Sequence, residues 1–549
     1  TTPPAANETT TPTTPHVVSV LPNPVADGDS GEFVVVAFPS PGTASLTDGE
    51  ATVTVTAPRP GRVVVTPDPS AVRNLTAASG TVAVVRAPGS FRLSNAGETL
   101  RLLRDGAELD RVAYESAPEG ERLVRSGRGR RWWPVGFAPR DPVRFGAANA
   151  TAFVLPDDPG VALDALRGAD ERLLVAGYTF TSRRVASLLI RTADRGVRVR
   201  VLVDGGPVGG LSRREARVLD RLVAAGADVR VVGGPRAAFS FHHAKYAVAD
   251  GRAVVLTENW KPAGVGGNAS RGWGVVAESA PVADELAGLF AADADRTGTV
   301  GWRRYRSGRR LVPTPAANGS YPSNFAPREY RVESVSLLTA PGNAEGALVD
   351  RIDAADDRVA VLQPTLGGPD QALVRAVVRA ARRGVEVRVL LSGAWYVREE
   401  NRALASRLDA LARRESLPLS VRVADPGGRF EKIHAKGLLV DDAVAVGSLN
   451  WNDHSAGENR EVVVVLEGES VAAYYRRVFD ADWRGGGQRV PMSLVAVAAL
   501  AAVAAAALAR RGIHFERRAG DVRGAESDGG AESDEREPTG EPDAQVPRE

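Results

Sequence analysis

Hydrophobic and polar positions change rhythm along the chain. Between residues 16 and 145 short apolar runs alternate with polar ones: "EFVVVAF", "ATVTVTA", "GRVVVTP", "GTVAVVRA" and "ETLRLLRDGAELDRVAY". Gly, Pro and Asn punctuate them at short intervals. Period-two alternation with frequent turn residues predicts an all-β sandwich of immunoglobulin-like fold over 16–145. From 150 to 300 the rhythm becomes that of alternating helices and strands. An apolar helix, "VALDALRGA", leads to a buried strand, "RLLVAGY", then to an amphipathic helix and strand, "LLIRTADRGVRVRVLVD". Residues 331–488 repeat this order with "GALVDRIDAA", "RVAVLQP" and "AVVRAARRGVEVRVLLS". The same elements at nearly the same spacing predict an internal duplication: two α/β units joined by an Arg-rich, Pro-containing connector at 301–330.

The ends have other patterns. Residues 1–15 are Thr/Pro-rich, which predicts an extended, disordered segment, and the start without Met suggests a cleaved signal peptide. Residues 492–509, "MSLVAVAALAAVAAAALA", are uncharged and mostly apolar. At about 1.5 Å per residue they cover roughly 27 Å as a helix, enough to predict a transmembrane span. Arg510, Arg511, Arg517 and Arg518 follow it and place the C-terminal side in the cytoplasm. Within the tail at 510–549 the stretch "GAESDGGAESDEREPTGEP" is acidic and almost devoid of apolar residues, and the tail is expected to be disordered. The catalytic units are then expected outside the cell. The Asn-X-Ser/Thr sites at Asn7, Asn74, Asn149, Asn268 and Asn318 are compatible with that location.

Composition narrows the chemistry. With 549 residues the chain has room for several domains. A formal charge of +2 gives no global field to attract nucleic acid. Zero cysteines exclude disulfides, thiol nucleophiles and thiolate metal sites. Of 69 basic residues only four are lysine: Lys245, Lys261, Lys432 and Lys436. Lysine is therefore an informative residue here.

Two of those lysines fall in two similar stretches. "HAKGLLVD" sets His434 and Lys436 two apart, on one face of a strand, with Asp441 at its end. "GSLN" follows: Gly447 allows a tight backbone, and Ser448 and Asn450 offer neutral hydrogen-bonding groups. In the first unit His243, Lys245 and Asp250 have the same spacing, Asp250-Gly251 is a hairpin signal, and "LTEN" aligns with "GSLN". Thr257 stands for the serine, Asn259 keeps the amide and Leu256 replaces the glycine. Imidazole, fixed cation and neutral donors converging on one point suit a tetrahedral oxyanion such as phosphate. His242, on the opposite face of its strand, reads as structural, and His454 as a solvated loop residue. "RGRRWW" at 128–133 is a candidate for binding phosphates or bases, a membrane-facing edge, or an ordinary domain contact.

The two stretches resemble the paired His-x-Lys-x4-Asp signature of the phospholipase D superfamily, and the resemblance covers about 150–488. It implies two duplicated α/β phospholipase D-like domains with one active site between them, so that one chain suffices. It also implies covalent phosphohistidine catalysis without a metal or other cofactor. His243 would attack phosphorus, and His434 would protonate the leaving alcohol and then activate water or an acceptor alcohol. Lys245, Lys436, Asn259 and Asn450 would hold the non-bridging oxygens. Asp250 and Asp441 belong to the signature, and Thr257, Ser448 and Gly447 would support the site. Glu461 in "NREVVVV" stands where the family often has an acid that orients a histidine, whereas "RGWGVV" has Trp273 there; Leu256 is expected to crowd the first half of the pocket. Separately, "VVSVLPNP…GEFVVV", "LSNAGETLRLLRDGAELDRVAY" and "RRWWPVGFAP" resemble a lamin-tail domain, a binding or targeting module whose ligand the residues do not reveal. The expected activity is membrane-anchored phospholipid headgroup hydrolysis or phosphatidyl transfer. A surface endonuclease acting on nucleic acid and a non-catalytic adhesion protein are the alternatives.

Overall fold

The computed structural model describes residues 13–72, 80–126, 129–137, 139–234, 237–314 and 317–485. The expected membrane span at 492–509 and the tail at 510–549 lie outside them, as does most of the Thr/Pro segment. Among the described residues no helix is long and apolar enough to cross a membrane. The chain divides into two compact units, up to Pro139 and from Arg140.

In the first unit two sheets share one core. The six-stranded sheet runs Gly129–Pro134, Glu121–Ser126, His16–Leu21, Phe33–Phe38, Gly61–Thr66, Thr81–Arg86, and its last pair is parallel. The four-stranded sheet runs Thr52–Ala57, Gly42–Thr47, Glu98–Arg104, Ala107–Tyr114. The alternation read in the sequence is physical: in "TVTVTA" every Val and the last Ala are buried and every Thr is exposed. Val17, Val34, Leu46, Val53, Leu100 and Val112 meet between the sheets. Trp133 is buried and stacked on Phe137 at 5.1 Å, so it holds the domain together rather than offering a face to a base. The strand-rich region ends earlier than 145. Val143–Phe145 pairs with Ser334–Ala340, and Ala148–Leu155 pairs with Ser270–Glu278, so residues from Arg140 belong to the second unit.

The second unit contains the duplication. In its first sheet Arg172–Gly177, Arg198–Asp204 and Asp228–Val232 lie parallel. Tyr246–Ala249, Arg252–Leu256 and Ser270–Glu278 continue from the Arg172–Gly177 edge as an antiparallel meander. In the second sheet Arg358–Gln363, Glu386–Leu391 and Leu419–Val423 are parallel. Gly437–Val440, Ala443–Gly447 and Glu461–Glu467 form the equivalent meander. The crossover helices start where the sequence supplies a cap: Ser182 accepts from the Val185 N–H and Ser212 from the Glu215 N–H. Helix Arg183–Asp194 is followed by Gly196 and helix Ala372–Arg382 by Gly384, both at positive φ, which lets the chain turn into the next strand. The stretch 301–330 is more than a connector. Trp302 and Tyr305 are buried in the first half's core, and strand Arg328–Val332 pairs with Ala148–Leu155. Large apolar side chains in an Arg-rich segment give that segment something to bury.

Candidate active site

Each signature stretch is a hairpin whose entry carries the histidine and lysine and whose turn carries the aspartate. Asp250 and Asp441 sit at φ 52° and 47°, in the left-handed turn conformation that Asp tolerates. Their carboxylates face away from the histidines. Asp250 accepts backbone N–H bonds from Asp170 at 2.8 Å, Glu171 at 3.0 Å and Arg172 at 2.8 Å. Asp441 accepts from Asp356 at 3.1 Å, Asp357 at 3.0 Å and Arg358 at 2.9 Å. Partial burial would raise both carboxyls, but these N–H bonds outweigh it and hold each below its ordinary value. A four-residue strand, about 13 Å long, separates each from its lysine. The expectation of catalytic aspartates is therefore corrected: they tie the hairpin turn to the start of the neighbouring strand.

The histidines pair across the two halves. His243 Nδ1 lies 2.9 and 3.0 Å from the two oxygens of Glu461, in the second half. His434 Nδ1 lies 3.2 Å from an oxygen of Glu258, in the first half. The backbone crosses likewise: the His243 N–H donates to Arg460 O at 2.9 Å, and the His434 N–H to Arg271 O at 3.0 Å. Neither half can complete its histidine alone. With Nδ1 turned to a carboxylate, Nε2 is the nitrogen left for chemistry on each ring. Lys245 Nζ donates to the His243 carbonyl, and Lys436 Nζ to the His434 carbonyl at 2.6 Å. Both ammonium groups are buried. The Tyr178 ring stands edge-on to His243 at 4.8 Å and beneath Lys245 Nζ at 5.4 Å. Asn259 is buried, and its Oδ1 has no hydrogen-bond partner among the described residues.

Burial governs the electrostatics. It pushes His243 down to about 4 against the pull of Glu461. It also pushes His434 well below its ordinary value, aided by the charges of Lys436, Lys261 and Lys245. Burial raises Glu258 to about 7, although all four lysines of the chain oppose it. The rarity of lysine thus has an electrostatic counterpart: all four act on one carboxylate.

Other expected residues find plain roles. Thr257 Oγ accepts from the Trp273 N–H at 2.9 Å and Ser448 Oγ from the Val462 N–H at 3.1 Å, so both hydroxyls pin strand ends. Gly447 is a glycine because a Cβ there would lie 2.2 Å from Val462 O. Leu256 does not crowd the site; it packs in the core, and its partner across the ladder is Gly274 where the other half pairs Gly447 with Val463. Large and small have exchanged strands. Trp273 does not stand in the acid's place either. Its ring lies over Gly437 and against Tyr475 at 4.7 Å, and the ladder register makes Gly272, not Trp273, the residue that corresponds to Glu461. His242 is buried beside Asp293 at 3.6 Å, and His454 pairs with Glu458 at 3.0 Å. Sequence reasoning missed Glu258, although a charged residue between Thr257 and Asn259, where the second copy has Leu449, was its signal.

Residues 162–294 and 348–483 match the family described as cardiolipin synthase, PLD-like domain. Cardiolipin synthase A of Pseudomonas aeruginosa is 33% identical over 177 residues, 30% of this chain and 34% of that protein. A probable phospholipase D of Caenorhabditis elegans is 24% identical over 345 residues, 55% of this chain and 59% of that protein. The chain thus spans between a third and three-fifths of the length of these relatives. A phosphatidylserine synthase from Haemophilus influenzae superposes with a TM-score of 0.47 at 13% identity, covering 67% of this chain and 94% of that one. The two halves that complete each other's histidines are two PLD-like domains, and the chain belongs to the phospholipase D superfamily.

Proposed function

We propose that the chain is a phosphodiesterase of this superfamily that cleaves or transfers phospholipid headgroups through a covalent phosphohistidine. The observation that carries the reading is the crossed pair of dyads, His243–Glu461 and His434–Glu258, beside two buried lysines. His243 is neutral near pH 7, as a nucleophile must be. Its Nε2 attacks phosphorus while Nδ1 keeps its proton and donates it in a hydrogen bond to the Glu461 carboxylate. The bond to the leaving alcohol breaks, and that oxygen takes the proton from His434 Nε2. A phosphodiester anion entering among the lysines offsets their charge and so favours the protonated form of His434. His434 then removes a proton from water or a second alcohol, which displaces His243 from phosphorus. Lys245, Lys436, Asn259 and Asn450 hold the non-bridging oxygens. These ammonium groups supply the charge that a metal would otherwise supply, and the reaction is metal-independent in this scheme. Among the described residues no group of three or more His, Asp or Glu is placed to hold a metal ion.

Lipid is the favoured substrate. The matched family and both curated relatives carry lipid-enzyme descriptions. Trp395 and Tyr396 are exposed, and Lys432, two residues before His434, lies 5.2 Å over the Tyr396 ring. Such an aromatic–cation rim suits a lipid–water boundary. Attachment through 492–509 would hold the site on the outer leaflet, and the lamin-tail-like β unit would serve as a binding module.

The test is turnover of phosphatidylglycerol vesicles and of single- and double-stranded DNA in EDTA, beside His243→Ala and His434→Ala. Lipid turnover lost in both variants supports the reading. DNA turnover alone assigns the nuclease instead, and full activity in either variant overturns the mechanism.

A further inference from the structure

The two halves deliver their histidine-orienting carboxylates from different places. Three hydrogen bonds fix which residues correspond. The Thr257 N–H donates to Trp273 O at 3.0 Å where the Ser448 N–H donates to Val462 O at 2.9 Å. The Trp273 N–H meets Thr257 Oγ where the Val462 N–H meets Ser448 Oγ. Arg271 O holds the His434 N–H where Arg460 O holds that of His243. Arg271 therefore corresponds to Arg460, Trp273 to Val462, Glu258 to Leu449, and Gly272 to Glu461. The half that lacks the acid at its ordinary place has a glycine there, and the residue across from it is the acid.

The fit is steric as well as topological. A Cβ on Gly272 would lie 2.2 Å from Glu258 Cγ, 2.8 Å from its Oε1 and 3.0 Å from its Cδ. The Glu258 side chain occupies the path that a side chain from 272 would take. It is fully buried, its oxygens have no aligned hydrogen-bond partner among the described residues, and one of them is 3.2 Å from His434 Nδ1. In the second half, where Glu461 supplies the acid, the residue corresponding to Glu258 is Leu449, buried in the core with Trp451. Glu–Gly and Leu–Glu are the same pair of positions with the carboxylate exchanged between them.

We infer that Glu258 is the positioning residue of His434, transposed from strand Ser270–Glu278 to the end of strand Arg252–Leu256, and that Gly272 is required to receive it. This rests on the proposed role of His434 as acid and base, but the geometry can be tested without that role. A carboxylate facing Nδ1 selects the tautomer in which Nδ1 carries the proton and Nε2 is open. Only one of positions 258 and 272 can hold the acid. Glu258→Leu should free the ring, Gly272→Glu alone should clash with Glu258, and Glu258→Leu/Gly272→Glu should rebuild the arrangement of the other half.

The experiment uses the full chain labelled with ¹⁵N-histidine, with the His434 signals assigned by their loss in His434→Gln. Wild type should show His434 protonated on Nδ1, Glu258→Leu should lose that preference, and the double variant should regain it. Turnover of bis(4-nitrophenyl) phosphate is measured on the same samples. The expected pattern is a kcat drop of about 10²-fold in Glu258→Leu, of the size general acid–base catalysis supplies, with KM little changed and recovery to within about tenfold in the double variant. An unchanged His434 tautomer in Glu258→Leu overturns the inference, as does a folded double variant no better than the single one in both readouts. A restored tautomer with no turnover in any sample, wild type included, upholds the positioning and sinks the proposed activity instead.

Discussion

Replacing Glu258 with Gln should stabilise the protein above neutral pH and leave it little changed in acid. The side chain keeps its shape, so packing is preserved, and what disappears is a buried carboxyl that must ionise. In the folded chain burial raises this group from 4.5 to about 7. The sign follows from linkage: at pH below 4.5 the carboxyl is protonated in both states and its stabilisation is fully present. Between 4.5 and 7 the unfolded chain releases the proton while the folded chain keeps it. Stability falls across this window and is fully lost as pH rises through about 7. The difference between the two values corresponds to about 3 kcal/mol. Urea unfolding of wild type and Glu258→Gln at half-unit steps from pH 4 to 8.5 measures it. Asp204, at about 6, and Glu215, at about 7, titrate in both proteins and cancel in the difference. The stability of Glu258→Gln relative to wild type should grow by about 3 kcal/mol from pH 4 to 8.5, while turnover falls. A difference that stays flat with pH would refute a carboxylate whose burial outweighs the lysines around it.

Three further changes separate scaffold from chemistry. Asp441→Ala should cost about 2 kcal/mol by removing three charge-assisted backbone hydrogen bonds, with kcat near wild type once folded; a kcat collapse at unchanged stability would return Asp441 to the catalytic set. Arg271→Met should destabilise by about 3–5 kcal/mol, because Asp157 and Asp482 stay buried without the guanidinium between them; an unchanged urea midpoint would show that the pairs contribute nothing. Trp395→Ser with Tyr396→Ser should raise KM for phosphatidylglycerol vesicles several-fold and leave that for bis(4-nitrophenyl) phosphate alone, and equal effects on both substrates would remove the aromatic rim from lipid contact.

Much of the architecture was legible because it repeats. Two hairpins with the same His-x-Lys spacing, preceded by the same helix–strand order, point to one duplicated unit, and Val/Thr alternation in "TVTVTA" points to a half-buried strand. What escaped was three-dimensional by nature. The signature aspartates share a motif with the histidines but sit at the opposite end of a strand, and only the backbone N–H groups of residues 170–172 and 356–358 reveal what they bind. Ser448 and Thr257 offer hydroxyls that could meet a phosphate in principle, yet a neighbouring strand's N–H takes each one. The domain limit near 145 was misplaced because "VRF" reads as one more β run, and nothing local says which sheet it joins.

The doubts raised by Leu256 and Trp273 show why a linear comparison of two repeats misjudges a site. Compared position by position, the first half lacks a glycine and an acid, and looks degraded. Compared as pairs across a ladder, nothing is missing. Leu256 faces Gly274 where Gly447 faces Val463, so the volume is conserved while its owner changes. Glu258 lies over Gly272 where Glu461 faces the position of Leu449, so the carboxylate is retained while its strand changes. Packing and charge constrain the sum over neighbours rather than each residue, because a histidine ring senses a carboxylate at its nitrogen and not the strand that delivers it. Both exchanges lie on one hairpin, two residues apart, and each would be costly without its partner: a leucine beside a valine overpacks, and a glutamate beside a glutamate collides. In both halves a buried carboxylate thus faces the Nδ1 of the other half's histidine, which is the geometry the proposed phosphoryl transfer needs from each ring.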